Sequence, residues 1–203
     1  MRAFRAGFGA VSEAFYPAAA SLLHNRRVTA AMEQLRQLVP PPAPAPDTDW
    51  NSVESAIGLR LPADYKEFID TYGGSRWENY LYVLAPGCPN DSYDLFEWKD
   101  WQTEALEGLW EFEPRPAELT EKGTRVIPWA TTDNGEMLYW LIRPGQGPDD
   151  WTVLINEGRG PRWEHVPHTC TQFLAAALTG DLRPVLLSDN YFPLSNHRVE
   201  QVA

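Results

Sequence analysis

At 203 residues the chain can hold one medium domain with an extension, but not two large domains. Its 43% hydrophobic and 22% charged residues are those of a globular protein, and a formal net charge of -11 repels phosphates, which sets direct nucleic-acid binding aside. No apolar run approaches the ~20 residues of a membrane span or the segment of a secretory signal, and Cys88 and Cys170 are too few for a disulfide scaffold, so a cytoplasmic protein with reduced thiols is the expectation.

The charge is uneven. Residues 1–46 carry Arg2, Arg5, Arg26, Arg27 and Arg36 against Glu13 and Glu33, a net +3 that leaves -14 for the remainder. Residues 1–39 are Ala- and Arg-rich, and Phe4, Phe8, Val11 and Phe15 recur at fours and threes, so a helical extension broken near Pro17 is expected. Arginines beside an apolar stripe suit a membrane-surface or partner-binding helix; the plainer readings are a helical extension lying on its own domain, or a partly ordered leader from an upstream start codon. "PPPAPAP", residues 40–46, is a Pro-rich linker of polyproline character.

The domain is expected over residues 47–188. A first helix takes Asp47, Thr48 or Asp49 as cap, places Trp50, Val53 and Ile57 on one face, and stops at Gly58. A second follows in "LRLPADYKEFIDTYGG": Leu61 anchors the entry, Pro62 suits the first helical position, and Tyr65, Phe68, Ile69 and Tyr72 form the buried face. Asp64, Lys66, Glu67 and Asp70 are assigned to solvent, and Gly73 or Gly74 is expected to close the helix in the left-handed conformation.

Strand chemistry then begins around Trp77, Tyr80, Tyr82, Val83 and Leu84, before the loop "APGCPN". Residues 91–121 hold ten acids and two bases interleaved with aromatics, helical in part over 91–110. A β-meander is read next, with Asn134-Gly135 as a hairpin turn whose two residues both tolerate positive φ, and with Trp151, Val153 and Ile155 on one strand face. A last helix runs through "HTCTQFLAAALTGDL", capped by Thr169 or Thr171, buried along Phe173, Leu174, Ala177 and Leu178, and ended by Gly180. Residues 189–203 are read as a C-terminal tail in which Tyr191, Phe192 and Leu194 can dock. Helices, then antiparallel strands, then a helix make an α+β fold.

Catalytic chemistry is weakly signalled. "WEHVPHTC" brings Glu164, His165, His168 and Cys170 within seven positions, acceptable zinc donors by type, but Pro167 breaks the segment and no second Cys/His pair completes a set. Cys170 with either histidine lacks the orienting third group of a thiol nucleophile. No phosphate-cradling loop stands between a strand and a helix. The expectation is no enzyme, no metal and no cofactor.

In order along the chain, Trp50, Ile57-Gly58, Leu61-Pro62, Tyr65, Phe68, Gly73-Gly74, Pro128-Trp129, Asp133, Gly135 and Phe173-Leu174 resemble the Smi-one/Knr-four family of the SUKH superfamily, over about Trp50 to Leu182. The resemblance implies a single α+β domain with helices flanking a mainly antiparallel sheet. Its bacterial members are commonly immunity proteins that bind and neutralise toxins, often nucleases, whereas eukaryotic relatives act as regulatory or scaffolding proteins. The basic extension and Pro-rich linker fall outside the family pattern. A partner with a basic surface matches the acidic segment independently. Asp91, Asp94, Glu97, Asp100 and Glu104 are the candidate charges, and Tyr93, Trp98, Trp101 and Trp110 the candidate anchors, some of which the core will claim.

Overall fold

The computed structural model describes residues 29–158 and 160–202. The stripe of Phe4, Phe8, Val11 and Phe15 and the break at Pro17 lie outside them. The described chain is helical over residues 29–38 (α1), and Met32 and Leu35 of this stretch are fully buried in the main core. Helices α2 (Trp50–Ile57) and α3 (Ala63–Tyr72) follow, then β1 (Ser75–Trp77), β2 (Leu81–Val83) and α4 (Leu95–Leu109). The rest is β3 (Arg125–Thr132), β4 (Met137–Ile142), β5 (Thr152–Asn156), β6 (Trp163–Val166), α5 (Cys170–Thr179) and β7 (Val199–Gln201).

The seven strands form one sheet in the order β6-β5-β4-β3-β2-β1-β7, antiparallel at every step, so the fold is α+β. Alternation along the strands divides two apolar layers. Leu138, Trp140, Val153 and Ile155 face the helical layer, where Tyr65 meets Trp140 edge-on at 4.8 Å and Trp129 meets Phe173 at 6.1 Å. Met137, Tyr139, Leu141 and Leu154 face the opposite way, and Met137 and Tyr139 there receive Leu106 of α4. Both faces are therefore covered, which is why β4 is buried at every residue.

Helix α3 corrects three local expectations. Pro62 stands one position before the helix, as its N-cap at φ -57, ψ 138, and the helix begins at Ala63. Gly73 ends it at φ 67, ψ -166, outside the left-handed helical region and in territory open only to glycine. Gly74 has ordinary φ and is needed for space, since a Cβ there would stand 3.0 Å from the Ala85 Cβ. Asp64, assigned to solvent by helical period, is 2% exposed because α5 approaches it: its Oδ2 accepts the Thr171 N–H at 3.2 Å and the Thr171 hydroxyl at 2.9 Å.

The hairpin expected at Asn134-Gly135 is present and joins β3 to β4, though its turn is not the tight one. The β3–β4 connection is four residues long, and only Gly135 takes positive φ, at 94°. The paired positive φ of a tight turn appears instead at Glu78 and Asn79 (58° and 57°), between β1 and β2, closed by the Tyr80 N–H on the Trp77 carbonyl at 2.9 Å. No glycine marks that turn. The Glu78 side chain, fully buried, accepts the backbone N–H groups of Leu194 at 2.6 Å and Arg198 at 2.9 Å. That carboxylate ties residues 194–198 to the turn, and β7 then adds to β1 with Ser75 opposite Gln201.

Candidate functional site

The acidic aromatic segment is built on α4 and the loop before it. Asn90 Oδ1 accepts the Ser92 N–H at 3.1 Å and opens a single 3-10 turn over Asp91–Tyr93. Asp94 then caps α4 by accepting the N–H groups of Phe96 at 2.6 Å and Glu97 at 3.3 Å. The loop is pinned to the sheet side by the Leu95 N–H on the Ala85 carbonyl at 3.0 Å. Leu95, Gln102 and Leu106 are the buried residues of the helix, and Tyr139 donates its hydroxyl to Gln102 Oε1 at 2.8 Å.

This anchoring fixes which residues are presented. Of the candidates, Asp91, Glu97, Asp100, Trp101 and Glu104 are exposed, with Trp101 at 59%. Asp94 is buried and committed to the helix start. Tyr93 lies half-buried, stacked on Tyr82 at 4.7 Å and 8°. Trp98 is half-buried with its indole N–H on the Ser92 carbonyl at 2.6 Å, and Trp101 meets it edge-on at 5.3 Å. Trp110 is half-buried too, covered by the Arg115 guanidinium at 4.3 Å from the ring centroid.

Among the described residues, Asp100 pairs with Lys99, whereas Asp91, Glu97, Glu104, Glu107, Glu111 and Glu113 enter no ion pair. Phe112 is 86% exposed just past the helix end, and Leu109 is exposed beside it in sequence. Neither was singled out from the sequence. Phe112 follows the last helical turn, where period no longer tells inside from outside. The exposed side of α4 thus combines uncompensated carboxylates with large apolar side chains, and it can attract and then dehydrate a cationic surface.

The residues of "WEHVPHTC" do not converge. Glu164 accepts the Leu186 N–H at 2.9 Å, His165 Nε2 meets the Thr152 hydroxyl at 2.9 Å, and Cys170 turns to Asp64 at 3.4 Å. Burial, helped by the Arg143 charge, holds the His165 ring below its ordinary value, and burial with the Asp64 carboxylate pushes the Cys170 thiol well up. A thiol so placed is held protonated. Among the described residues, no group of three His, Cys, Asp or Glu side chains is arranged to hold a metal ion, and no helix is long and apolar enough to cross a membrane.

The structural motif residues have architectural partners. The Trp50 indole N–H donates to Asp70 at 2.9 Å, Gly58 closes α2 at φ 78, ψ 19, and a bulge lies between Pro128 and Ala130. Asp133 accepts the Tyr82 hydroxyl at 2.8 Å, while Ile57, Leu61, Trp129, Phe173 and Leu174 are buried. A family model of the SUKH group, described as SMI1-KNR4 cell-wall, matches residues 47–174. No curated protein and no solved structure matches the chain. The matched span begins just before α2 and stops inside α5, so α1 and β7 lie beyond it.

Proposed function

The chain belongs to the SMI1-KNR4 family of the SUKH superfamily, and from that premise we propose that it is a non-enzymatic, cytoplasmic immunity protein that binds and neutralises a cognate nuclease-type bacterial toxin. The observation that carries the reading is the exposed face of α4 and the turn before it, where Asp91, Glu97 and Glu104 enter no ion pair among the described residues and Trp101 stands open to solvent. A nuclease must present a basic surface to hold its substrate's phosphates. An acidic face with an apolar anchor competes for that same surface, speeding encounter by charge and holding the complex by buried aromatic area. Binding of this kind uses no nucleophile, cofactor or metal.

The test is a tagged pull-down from the native cell, washed at low and then high salt, with bound proteins identified by mass spectrometry and repeated with Glu97→Lys/Asp100→Lys/Glu104→Lys. Recovery of one basic nuclease domain by the wild type, and its loss from the triple variant, supports the antidote reading. Recovery of resident housekeeping or envelope proteins with no toxin would replace it with the regulatory or scaffolding role of the family's eukaryotic relatives.

A further inference from the structure

Beside the N-terminus of α4, Asp91, Ser92, Glu97, Trp98 and Trp101 line an open cleft of about 400 Å³. Its walls are two carboxylates and two indoles, and each component is held differently. Trp98 is fixed by its indole N–H on the Ser92 carbonyl at 2.6 Å and supports Trp101 edge-on at 5.3 Å, so one ring is a rigid wall and the other is presented outward. Asp91 sits on the 3-10 turn whose start Asn90 pins, and Glu97 projects from the first turn of α4. Both carboxylates are exposed and in no ion pair among the described residues. The nearest base in sequence, Lys99, is engaged with Asp100.

We propose that this cleft receives a single arginine side chain of a protein partner, its guanidinium lying against the Trp98 and Trp101 indoles and donating to Asp91 and Glu97. The chemistry selects arginine over lysine. A guanidinium is planar and weakly hydrated, so it can rest on an indole face while its edge N–H groups meet carboxylates, whereas an ammonium offers no plane and gives up its water less readily. The chain already uses this pairing on itself further along, where the Arg115 guanidinium covers the Trp110 ring at 4.3 Å and leaves that indole half-buried. The cleft has the same ring type with two carboxylates added. Coulomb attraction from those acids brings the cation in, and the aromatic walls then lower the local dielectric around the pair.

The inference depends on the immunity reading only for the source of the arginine, a toxin's basic surface, and the cleft can be tested without the toxin. The full chain, labelled with nitrogen-15, is titrated with Nα-acetyl-argininamide and separately with Nα-acetyl-lysinamide while the indole N–H resonances are followed. Saturable shifts confined to Trp98 and Trp101, stronger for the arginine compound, are expected. Glu97→Gln and Trp101→Ala, both at exposed positions, should each weaken the response about three- to fivefold. The proposal is overturned by an absence of indole shifts, by an equal response to the lysine compound, or by shifts that survive both variants unchanged. Shifts as expected with no toxin in the pull-down would retain the cleft and discard the antidote role; a toxin captured without any arginine response would do the reverse.

Discussion

Asp64 holds the start of a helix it does not belong to. From α3, its Oδ2 reaches the first turn of α5 and accepts from the N–H and hydroxyl of Thr171, while its Oδ1 accepts the Tyr65 N–H at 2.8 Å. A negative charge beside the unsatisfied N–H groups of a helix start is stabilised there, which lets a carboxylate stand at 2% exposure with no ion pair among the described residues. Asp64→Ala would leave those donors buried and unpaired, at a cost of about 1–3 kcal/mol in urea unfolding. A loss below about 0.5 kcal/mol, the size expected of a solvent-facing site, would contradict this account. Burial, with this carboxylate beside it, keeps Cys170 protonated, so iodoacetamide at pH 8 should leave Cys170 unmodified in the native protein and label it after denaturation, as peptide mass spectrometry can read. His165 gives the pH dependence. Because burial lowers its folded-state value below 6.5, the unfolded chain binds more protons in the window just beneath 6.5, and stability is lost as pH falls through it. His165→Gln should flatten the decline of the urea midpoint between pH 7 and pH 5; equal slopes in the two proteins would refute the assignment.

At the scale of the element, the Gly73-Gly74 pair separates into two distinct demands, one of conformation and one of room. Gly73→Ala forces a side chain into φ 67, ψ -166 and should destabilise by about 1–3 kcal/mol. Gly74→Ala presses on the Ala85 Cβ at 3.0 Å and the Val202 Cγ2 at 3.2 Å, contacts that a shift of a few tenths of an ångström relieves, so its cost should be smaller. Differential scanning calorimetry of both variants separates the two effects, and equal shifts would contradict the division. Helices were legible where a stop signal and an apolar stripe agreed: Gly58, Gly180 and the row Phe173, Leu174, Ala177, Leu178 all stand where expected. Helical period failed at Asp64 because burial there comes from a neighbour about a hundred residues away, and no local pattern contains it. Turn chemistry failed at Glu78-Asn79 for a related reason. A glutamate accepts positive φ when its carboxylate is rewarded by distant amides, and a reader of dipeptides sees only Asn134-Gly135. In the acidic segment, composition located the helix and its charge but could not separate the capping Asp94 from the presented Glu97, since both are acids on the same stretch.

Over the whole molecule, the sheet is held together by contacts that run from its beginning to its far end. Tyr80 links them: its hydroxyl donates to Glu136 at 2.9 Å and accepts the Ser188 N–H at 3.3 Å, while its ring stacks on Tyr191 at 5.9 Å. Residues 189–203 had no strand signal, because three residues such as Val199–Gln201 are too few to show alternation; the strand exists through the edge that β1 offers. The antiparallel α+β architecture was readable from the sequence, whereas the burial of both sheet faces and the way the edge is finished were not. Glu78→Ala should release this segment before the rest of the molecule, seen as fast amide exchange over residues 194–202 with protection in β4 and β5 retained. Uniform protection across all strands would argue against so local a role for the carboxylate.

The pairing of β1 with β7 also sets an order of events. Residues 75–77 leave the ribosome well before residues 199–201, and a domain folds as a unit only when its distant pieces are available. During synthesis the outer backbone of β1 and the carboxylate of Glu78 therefore wait until residues 194–201 have been made. A stalled or shortened nascent chain would present that waiting edge to its neighbours, a hazard of premature association that β1 loses once β7 is in place.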